Sequence, residues 1–326
     1  MYTNIFDYIN KKYVFNFFIG GRGIGKTYSV LKGIYEKEIP FIYLRYTNVE
    51  LDIAINADMF KLYGDKISYN RIEQGFYAFQ IDKKLIGYGM SLTTFRSKRG
   101  IDFSNIKLIF FDEFIPERGA RKVISYVGDT FLNMYETVNR NREFNKEDPV
   151  LMIGCANSND IANPLMLDLG LTKIAEDMIR NDLEFYHDYK RSMQLGVLKS
   201  NPDFIDKKSK TVLYKFATKD FANMSLNNIF AYNDFGNVKQ KSLKGYKPIF
   251  SIKDNFTFYQ QKGSKLYYLY PNVIASEIYD INNDIELQKL KNKYLIFLES
   301  QYYNNRIKFA TYEIKQLFID LFIKLR

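Results

Sequence analysis

The stretch FNFFIGGRGIGKTYSV, residues 15–30, constrains the fold of this chain more than any other segment. An aromatic and β-branched run comes first, then glycines, then apolar residues at helical spacing, which predicts a buried strand, a tight loop and a helix. Residues 20–27 match the GxxxxGK[ST] pattern of a phosphate-binding loop, for which about 0.01 accidental matches are expected in a chain of this length. The sequence therefore predicts a nucleotide-binding α/β domain.

The glycines of this loop allow backbone N–H groups to close on the phosphates of a nucleotide, and the helix N-terminus adds partial positive charge. Lys26 is expected to reach the β- and γ-phosphates, and Thr27 to hold Mg²⁺. Arg22 either reaches the phosphates or faces solvent, and the sequence leaves both open. The predicted nucleotide-binding residues are Gly20, Gly21, Arg22, Gly23, Ile24, Gly25, Lys26 and Thr27.

Two further apolar runs end in polar residues where a buried strand would emerge from the sheet. The first, IKLIFFDE, ends in Asp112, placed to hold Mg²⁺, and Glu113, placed to polarise the attacking water as a general base. A second acid directly after the first favours a hydrolase. The other run, PVLMIGCANSN, places Asn157 where its amide would orient water or sense the γ-phosphate. The alternative is that Asn157 ends a strand for turn reasons alone.

Basic residues flank these strands. The segment TVNRNREFN places Arg140 and Arg142 at the end of a helix predicted around residues 121–139, and FRSKRG places Arg99 in a loop before the acidic strand. Basic residues at a helix C-terminus complement its dipole and need no other role. Alternatively, one of these arginines is delivered to the nucleotide of a neighbouring subunit, as an arginine finger. The residues alone do not decide between the two.

The charge of the chain favours polyanionic partners. Its 47 Lys and Arg against 37 Asp and Glu give a net charge of +10, which indicates nucleic acid ahead of an anionic membrane. The sequence lacks an apolar run of the roughly 18 residues that span a bilayer and lacks a secretory signal pattern. The single cysteine, Cys155, excludes an intramolecular disulfide framework and fits a reducing compartment such as the cytoplasm.

The pattern of elements predicts two domains. Up to about residue 165, strands alternate with helices, which is typical of an α/β domain with a mainly parallel sheet. Residues 165–196 are predicted to be helical, and 199–245 to be a linker region with some helix. Three strand-like runs then predict an antiparallel meander, and a helical tail follows from about Asp284. The predicted boundaries are 1–197 for the first domain, 198–244 for the linker and 245–326 for the second domain.

Five motifs occur in one order along the chain: IGGRGIGKTYS, LIFFDEFI, ETVNRNRE, CANSNDIANP and MSLNN. With these motifs the chain resembles, over nearly its whole length, the DNA packaging ATPases (DNA encapsidation proteins) of phi29-type small tailed bacteriophages. The resemblance implies a P-loop ATPase domain of the additional-strand catalytic glutamate (ASCE) division, a helical linker and a small α+β RNase H-like domain. That last domain is expected to lack nuclease activity.

The acids of the second domain agree with this expectation of a nuclease fold without its catalytic carboxylates. Asp254, in the first hairpin of the meander, lies at a turn and not within a strand, so no two-metal carboxylate cluster is evident there. The alternative is that Asp254 converges in space with Asp280, Asp284 and Glu286, which would favour an active nuclease.

In function, the resemblance implies an ATP-driven translocase that packages double-stranded viral DNA into a prohead, using ATP and Mg²⁺. Its subunits would form a homomeric ring in the host cytoplasm, and a pentamer is expected. The ring would dock at the portal vertex, and no membrane is expected among its partners. By position, Arg140 is similar to the trans-acting finger, with Arg142 the fallback, and Arg99 to a second trans-acting cation. A phage-encoded structural RNA is a further possible partner.

Two rival functions stay open at this stage. One is another ring-forming DNA-dependent ATPase, such as a helicase or an AAA+ remodelling protein. The other is a nucleotide-gated capsid assembly protein in which hydrolysis is incidental.

Overall fold

The structure, a computed structural model, describes residues 3–10, 12–95, 100–115, 127–157, 161, 163–217, 237–239 and 241–325. The chain forms two compact units, Met1–Tyr232 and Asn233–Arg326. The predicted boundaries at 197/198 and 244/245 stay predictions. Arg99 with its basic neighbours Arg96 and Lys98, the beginning of the helix predicted at 121–139, and the MSLNN motif lie outside the described residues.

A nine-stranded sheet forms the centre of the first unit. Its strands follow the order β3-β4-β5-β2-β6-β7-β1-β9-β8, and the six from β5 to β9 pair in parallel. The prediction of an α/β fold with a mainly parallel sheet is therefore confirmed. The strands are β1 (Phe15–Gly20), β2 (Phe41–Arg45), β3 (Ile67–Glu73), β4 (Phe76–Ile81), β5 (Lys84–Ser91), β6 (Leu108–Asp112), β7 (Leu151–Asn157), β8 (Phe185–Asp188) and β9 (Met193–Leu198).

Helices cover this sheet and account for the continuous apolar runs in its central strands. All five residues of β6 are buried, as expected for a parallel strand covered on both faces. Phe18 of β1, Tyr43 of β2 and Phe110 of β6 pack with Val30 and Ile34 from the first helix in one core. The helices are α1 (Lys26–Lys37), α2 (Asn48–Asn56), α3 (Val127–Asn139), α4 (Pro164–Asp168), α5 (Thr172–Arg180), α6 (Pro202–Ser209) and α7 (Val212–Phe216).

The prediction of a helical segment over residues 165–196 is wrong for its second half. Helices α4 and α5 end at Arg180, and β8 and β9 follow as an antiparallel hairpin. Strand β9 then pairs in parallel with β1, next to the phosphate-binding loop. The apolar residues Met193, Leu195 and Leu198 fit helical spacing nearly as well as strand spacing, and pairing with β1 decides in favour of the strand.

The parallel register brings the ends of three strands to one edge of the sheet. Gly20 at the end of β1 pairs with Asn157 at the end of β7, and Asp112 at the end of β6 pairs with Cys155. Helix α3 runs back from the end of β6 to the beginning of β7, so the loop after α3 lies at the opposite edge. We refer to these as the carboxyl edge and the amino edge of the sheet.

The second unit has a five-stranded sheet of order β13-β10-β11-β12-β14. Strands β10 to β12 form the antiparallel meander that the turn residues predict, while β13 and β14 pair in parallel at its two margins. The predicted helical tail is interrupted by β14. The elements are β10 (Tyr246–Ile252), β11 (Phe256–Gln261), β12 (Tyr267–Tyr270), β13 (Ile278–Tyr279), α8 (Asp284–Tyr303), β14 (Ile307–Phe309) and α9 (Tyr312–Leu325).

An aromatic core holds this second unit together. Phe250 and Phe258 stack with ring centroids 5.2 Å apart, and Phe318 of α9 packs on Phe309 of β14. In the part of the chain that the structure describes, no helix is both long and apolar enough to cross a membrane.

Candidate nucleotide site

The phosphate-binding loop connects β1 to α1 at the carboxyl edge. Gly23 and Gly25 have φ angles of 77° and 101°, a left-handed backbone that strains residues with a Cβ, which explains two of the glycines of the motif. Gly25 is the N-cap of α1, and helix begins at Lys26. The first N–H groups of α1 therefore point into the loop, which is the arrangement that binds phosphate.

Lys26 is buried, with 6% of its surface exposed, and its ammonium lies inside the loop. Its Nζ donates to the carbonyl oxygens of Gly20 and Gly21 at 2.9 and 2.8 Å, and to Oδ1 of Asn157 at 3.2 Å. Burial lowers the pKa of Lys26 to about 8, helped by the charge of Lys208 and opposed by neighbouring acidic groups. A buried ammonium of this kind gains strongly from a phosphate ligand.

Thr27 and Asp112 form a pair of oxygen ligands suited to Mg²⁺. The hydroxyl of Thr27 donates to Oδ1 of Asp112 at 2.8 Å, so a hydroxyl and a carboxylate oxygen lie side by side at the cavity wall. Mg²⁺ prefers such hard oxygen donors and commonly takes only one or two from the protein, with the rest from phosphates and water. The donor set therefore fits a nucleotide-bound Mg²⁺. Among the described residues, no group of three or more His, Cys, Asp or Glu forms a separate metal site.

Arg45, the last residue of β2, holds both acids and was missed by the sequence analysis. Its guanidinium donates to Oδ2 of Asp112 at 2.9 Å and to Oε2 of Glu113 at 2.8 Å. The hydroxyl of Tyr43 also donates to Oδ2 of Asp112, at 3.0 Å. Burial opposes the charge of Arg45, but Tyr43 and the two acids more than offset it, and its pKa is raised. The available signal was a basic residue ending a predicted strand, FIYLR.

Glu113 has a backbone conformation that is rare for its residue type. Its φ is 54°, in the left-handed region, directly after the buried strand β6. Such strained positions cluster at functional sites, where the surrounding structure holds them in place. The strained turn directs the carboxylate of Glu113 to Arg45 and to the cavity.

The phosphate-binding loop and the residues Asp112, Glu113 and Asn157 line one cavity of about 540 Å³, within the size range of small-molecule sites. It combines cations, a carboxylate pair and an amide, as a site for a metal-bound polyphosphate requires. The predicted site residues among its lining are Arg22, Gly23, Gly25, Lys26, Thr27, Asp112, Glu113 and Asn157.

Arg140 lies at the amino edge, remote from this cavity in the topology of the sheet. It follows α3 directly, has a left-handed φ of 50°, and its side chain is exposed. Its guanidinium donates to the carbonyl oxygen of Ile101 at 3.1 Å. An exposed arginine on the opposite edge from its own nucleotide loop is available to a second molecule.

Arg142 lies near Arg140 but is 5% exposed. Its guanidinium donates to the carbonyl oxygens of Phe103, Ser104 and Ile106, at 3.1, 2.7 and 2.6 Å. These bonds brace the segment that leads into β6. The fallback role of Arg142 as a finger would require all three bonds to break, so the geometry favours a structural role for it.

Known proteins are similar to this chain in sequence and in fold. The chain matches, over residues 1–326, the family described as podovirus DNA encapsidation protein (Gp16). The chain belongs to this family. The resemblance that the motifs indicate is therefore confirmed.

Relatives within and near the family share most of the chain. A DNA packaging protein of Bacillus phage phi29 is 28% identical over 330 residues, which cover 96% of this chain and 94% of the relative. A DNA packaging protein of Bacillus phage B103 is 30% identical over 244 residues, 73% of this chain and 71% of the relative. A chain in the solved bacteriophage phi-29 viral genome packaging motor assembly shares the fold, with a TM-score of 0.64, 20% identity and coverage of 100% of this chain and 99% of that chain.

Proposed function

We propose that this protein is an ATP-driven translocase that packages double-stranded viral DNA into a prohead. The observation that carries the proposal is the cavity at the carboxyl edge, where the phosphate-binding loop meets Asp112, Glu113 and Asn157, in a DNA encapsidation protein family member. The relatives described above support it: two are DNA packaging proteins of phages, and one is a chain of a genome packaging motor assembly.

The side chains of the cavity divide the work on ATP. Lys26 and the N–H groups at the beginning of α1 bind the phosphates, while Thr27 and Asp112 hold Mg²⁺. When bound, Mg²⁺ supplies positive charge that offsets the charge developing on the phosphates. Asn157, within 3.2 Å of the ammonium of Lys26, is placed to respond when the terminal phosphate leaves.

Glu113 is the proposed general base for the attacking water. In the structure Arg45 donates to Oε2 of Glu113 at 2.8 Å, so the guanidinium occupies one of the two carboxylate oxygens. Glu113 would therefore have to leave Arg45 before this oxygen takes a proton from water. Hydrolysis would then depend on whatever moves β2 or Arg45.

The ring assembly is part of the proposal. Arg140 would reach the nucleotide of the neighbouring subunit, which requires head-to-tail contacts that close into a ring, with five subunits expected. Its exposure and its position at the edge opposite its own loop support this role. Arg99, outside the described residues, is proposed as a second trans-acting cation.

The fold details of the two units also belong to the proposal. Strand β7 lies between β1 with the loop and β6 with the acids, the arrangement that supports the ASCE division. The meander β10–β12 with β13 parallel to its first strand supports an RNase H-like second domain. We propose that this domain does not cleave DNA. Asp280 is held by Lys253 at 2.9 Å, and Glu286 accepts from the backbone N–H of Asp280 at 2.6 Å.

The net charge of +10 supports contact with duplex DNA, because lysines bind its phosphates without reading the sequence. A packaging motor has to be indifferent to sequence. The proposed partners are DNA, further copies of the chain and the portal or prohead, with a structural RNA as an additional one, all in the host cytoplasm.

The direct test is a packaging assay with purified proheads, which measures DNA protected from nuclease with and without ATP. Protection should require ATP, and Glu113→Gln should abolish it while ATP binding is kept. Packaging that survives this substitution would favour the rival function of a capsid assembly protein. Duplex DNA should stimulate hydrolysis without strand separation, whereas clear unwinding would favour a helicase.

A further inference from the structure

Three residues separate the end of β9 from the beginning of helix α6, which packs beside the phosphate-binding loop. Phe204 and Lys208 are four residues apart, so they lie on the same face of this helix. Phe204 packs on the core of the first unit, in a cluster that includes Ile24 of the loop and Leu198 of β9. The apolar contact thus anchors α6 where its lysine meets the loop.

The ammonium of Lys208 contacts the loop directly. Its Nζ donates to the carbonyl oxygen of Arg22, and it lies so near Gly23 that a Cβ there would be 2.9 Å away. The rings of Phe204 and Tyr214 face the same ammonium, with centroids at 4.9 and 5.6 Å. The side chain is half-buried and held on several sides.

Lys26 and Lys208 together converge on three consecutive carbonyls of the loop. Lys26 donates to those of Gly20 and Gly21, and Lys208 to that of Arg22. Within the described part of the chain Lys208 has no carboxylate partner, in contrast to Lys210, which pairs with Asp206 at 2.6 Å. Two ammonium groups without a carboxylate partner between them are an environment for a polyanion.

A simpler explanation is that Lys208 only complements the dipole at the end of α6. Lys207 occupies the same last turn and serves that purpose equally, yet it is exposed to solvent. Lys208 instead points into the loop and is enclosed by two aromatic rings. The dipole therefore explains a basic residue in this turn, but not the direction of Lys208.

We propose that Lys208 is a second lysine ligand for the phosphates of the nucleotide, supplied by α6 from outside the loop motif. This inference rests on the proposed ATP site and adds a residue to it. Nucleotide binding would then tighten the contact of α6 with the loop. Residues 202–216, which the sequence assigns to a linker, would follow the state of the nucleotide.

The test compares Lys208→Met with Lys207→Met as the matched control, since both keep an unbranched side chain and lose one charge. Affinities for Mg–ATP are measured by calorimetry on the full chain, and those for inorganic pyrophosphate by competition with ATP. Lys208→Met should weaken both by about tenfold or more, as for loss of one charge-assisted bond. Lys207→Met should leave both unchanged, and Lys208→Arg should restore most of the affinity.

Equal affinity of Lys208→Met and the unsubstituted protein would overturn the inference. So would an ATP-specific loss with pyrophosphate binding unchanged, because that result indicates a change in shape and not a lost phosphate contact. Lys26→Met provides the separate control on the proposed function. If Lys26→Met binds ATP normally, the proposed site itself is wrong. If Lys26→Met loses affinity for ATP while Lys208→Met keeps it, only the role of Lys208 is rejected.

Discussion

The two edges of the central sheet in the first unit use arginine in different ways. At the carboxyl edge, Arg45 is paired with two acids at 2.9 and 2.8 Å beside the phosphate-binding loop. At the amino edge, Arg142 binds three backbone carbonyls, while Arg140 is exposed. The carboxyl edge thus has the residues that we propose to bind phosphate and water, and the amino edge has an exposed arginine that contacts only a backbone carbonyl in the hydrogen bonds described for it.

This difference fits the proposal that each chain carries two unlike halves of a shared site. A strand–helix–strand unit with parallel strands returns its connecting helix to the opposite edge, so Arg140 after α3 is far from its own loop by topology. In the proposed head-to-tail ring, the amino edge of one copy would meet the carboxyl edge of the next. We expect the halves to respond differently to substitution.

The largest effect is expected for Arg140→Ala. Loss of a trans-acting arginine should lower hydrolysis by assembled motors by about 10³-fold or more, because the charge developing on the phosphates is no longer offset. Binding of ATP to the isolated chain should not change. Steady-state hydrolysis on proheads measures the effect, with Lys146→Ala, an exposed residue of the same loop, as the control. A rate for Arg140→Ala within about twofold of that control contradicts the role.

Arg45→Met should destabilise the carboxyl edge by about 3–5 kcal/mol, because the buried Asp112 loses its arginine partner and keeps only the hydroxyls of Thr27 and Tyr43. Mg²⁺ should recover part of this loss, since the freed carboxylate becomes a better ligand. Calorimetric unfolding with and without MgCl₂ measures both effects. Arg71→Met, which breaks a partly exposed pair with Asp52, should cost no more than about 1 kcal/mol. A loss for Arg45→Met no larger than that control would show that the buried pair contributes little.

Arg142→Met should destabilise the first unit by about 2–4 kcal/mol, since three carbonyl oxygens lose a charged donor. Here Mg²⁺ should recover nothing, because no acid is freed. The same calorimetric experiment gives the comparison with Arg45→Met. Recovery by Mg²⁺, or normal stability with hydrolysis lost, would instead favour a direct catalytic role for Arg142.

The sequence predicts the carboxyl edge well because its signals are local. Glycines with left-handed φ, the adjacent Lys26 and Thr27, and acids at the end of an apolar run all come from short segments. The parallel sheet then brings their ends together, as alternating strands and helices predict. What the sequence could not predict depends on which strands are neighbours.

Arg45 shows this limit most clearly. Its pairing with Asp112 arises because β2 lies beside β6, a neighbour relation between segments 67 residues apart that no local pattern encodes. Strand β9 shows the same limit. The spacing of its residues predicts helix, but its pairing with the distant strand β1 makes it a strand. Arg140 and Arg142 are two residues apart and chemically alike. Only the packing of residues 101–106 against them separates the exposed arginine from the buried one.

The most direct test of a site shared between two copies mixes Arg140→Ala chains with Lys26→Ala chains on proheads. Each variant alone should be inactive. In an equal mixture, about a quarter of the contacts join an intact loop to an intact Arg140, so hydrolysis should recover towards about a quarter of the normal rate. No recovery at any ratio would contradict the account and would place the action of Arg140 within its own chain.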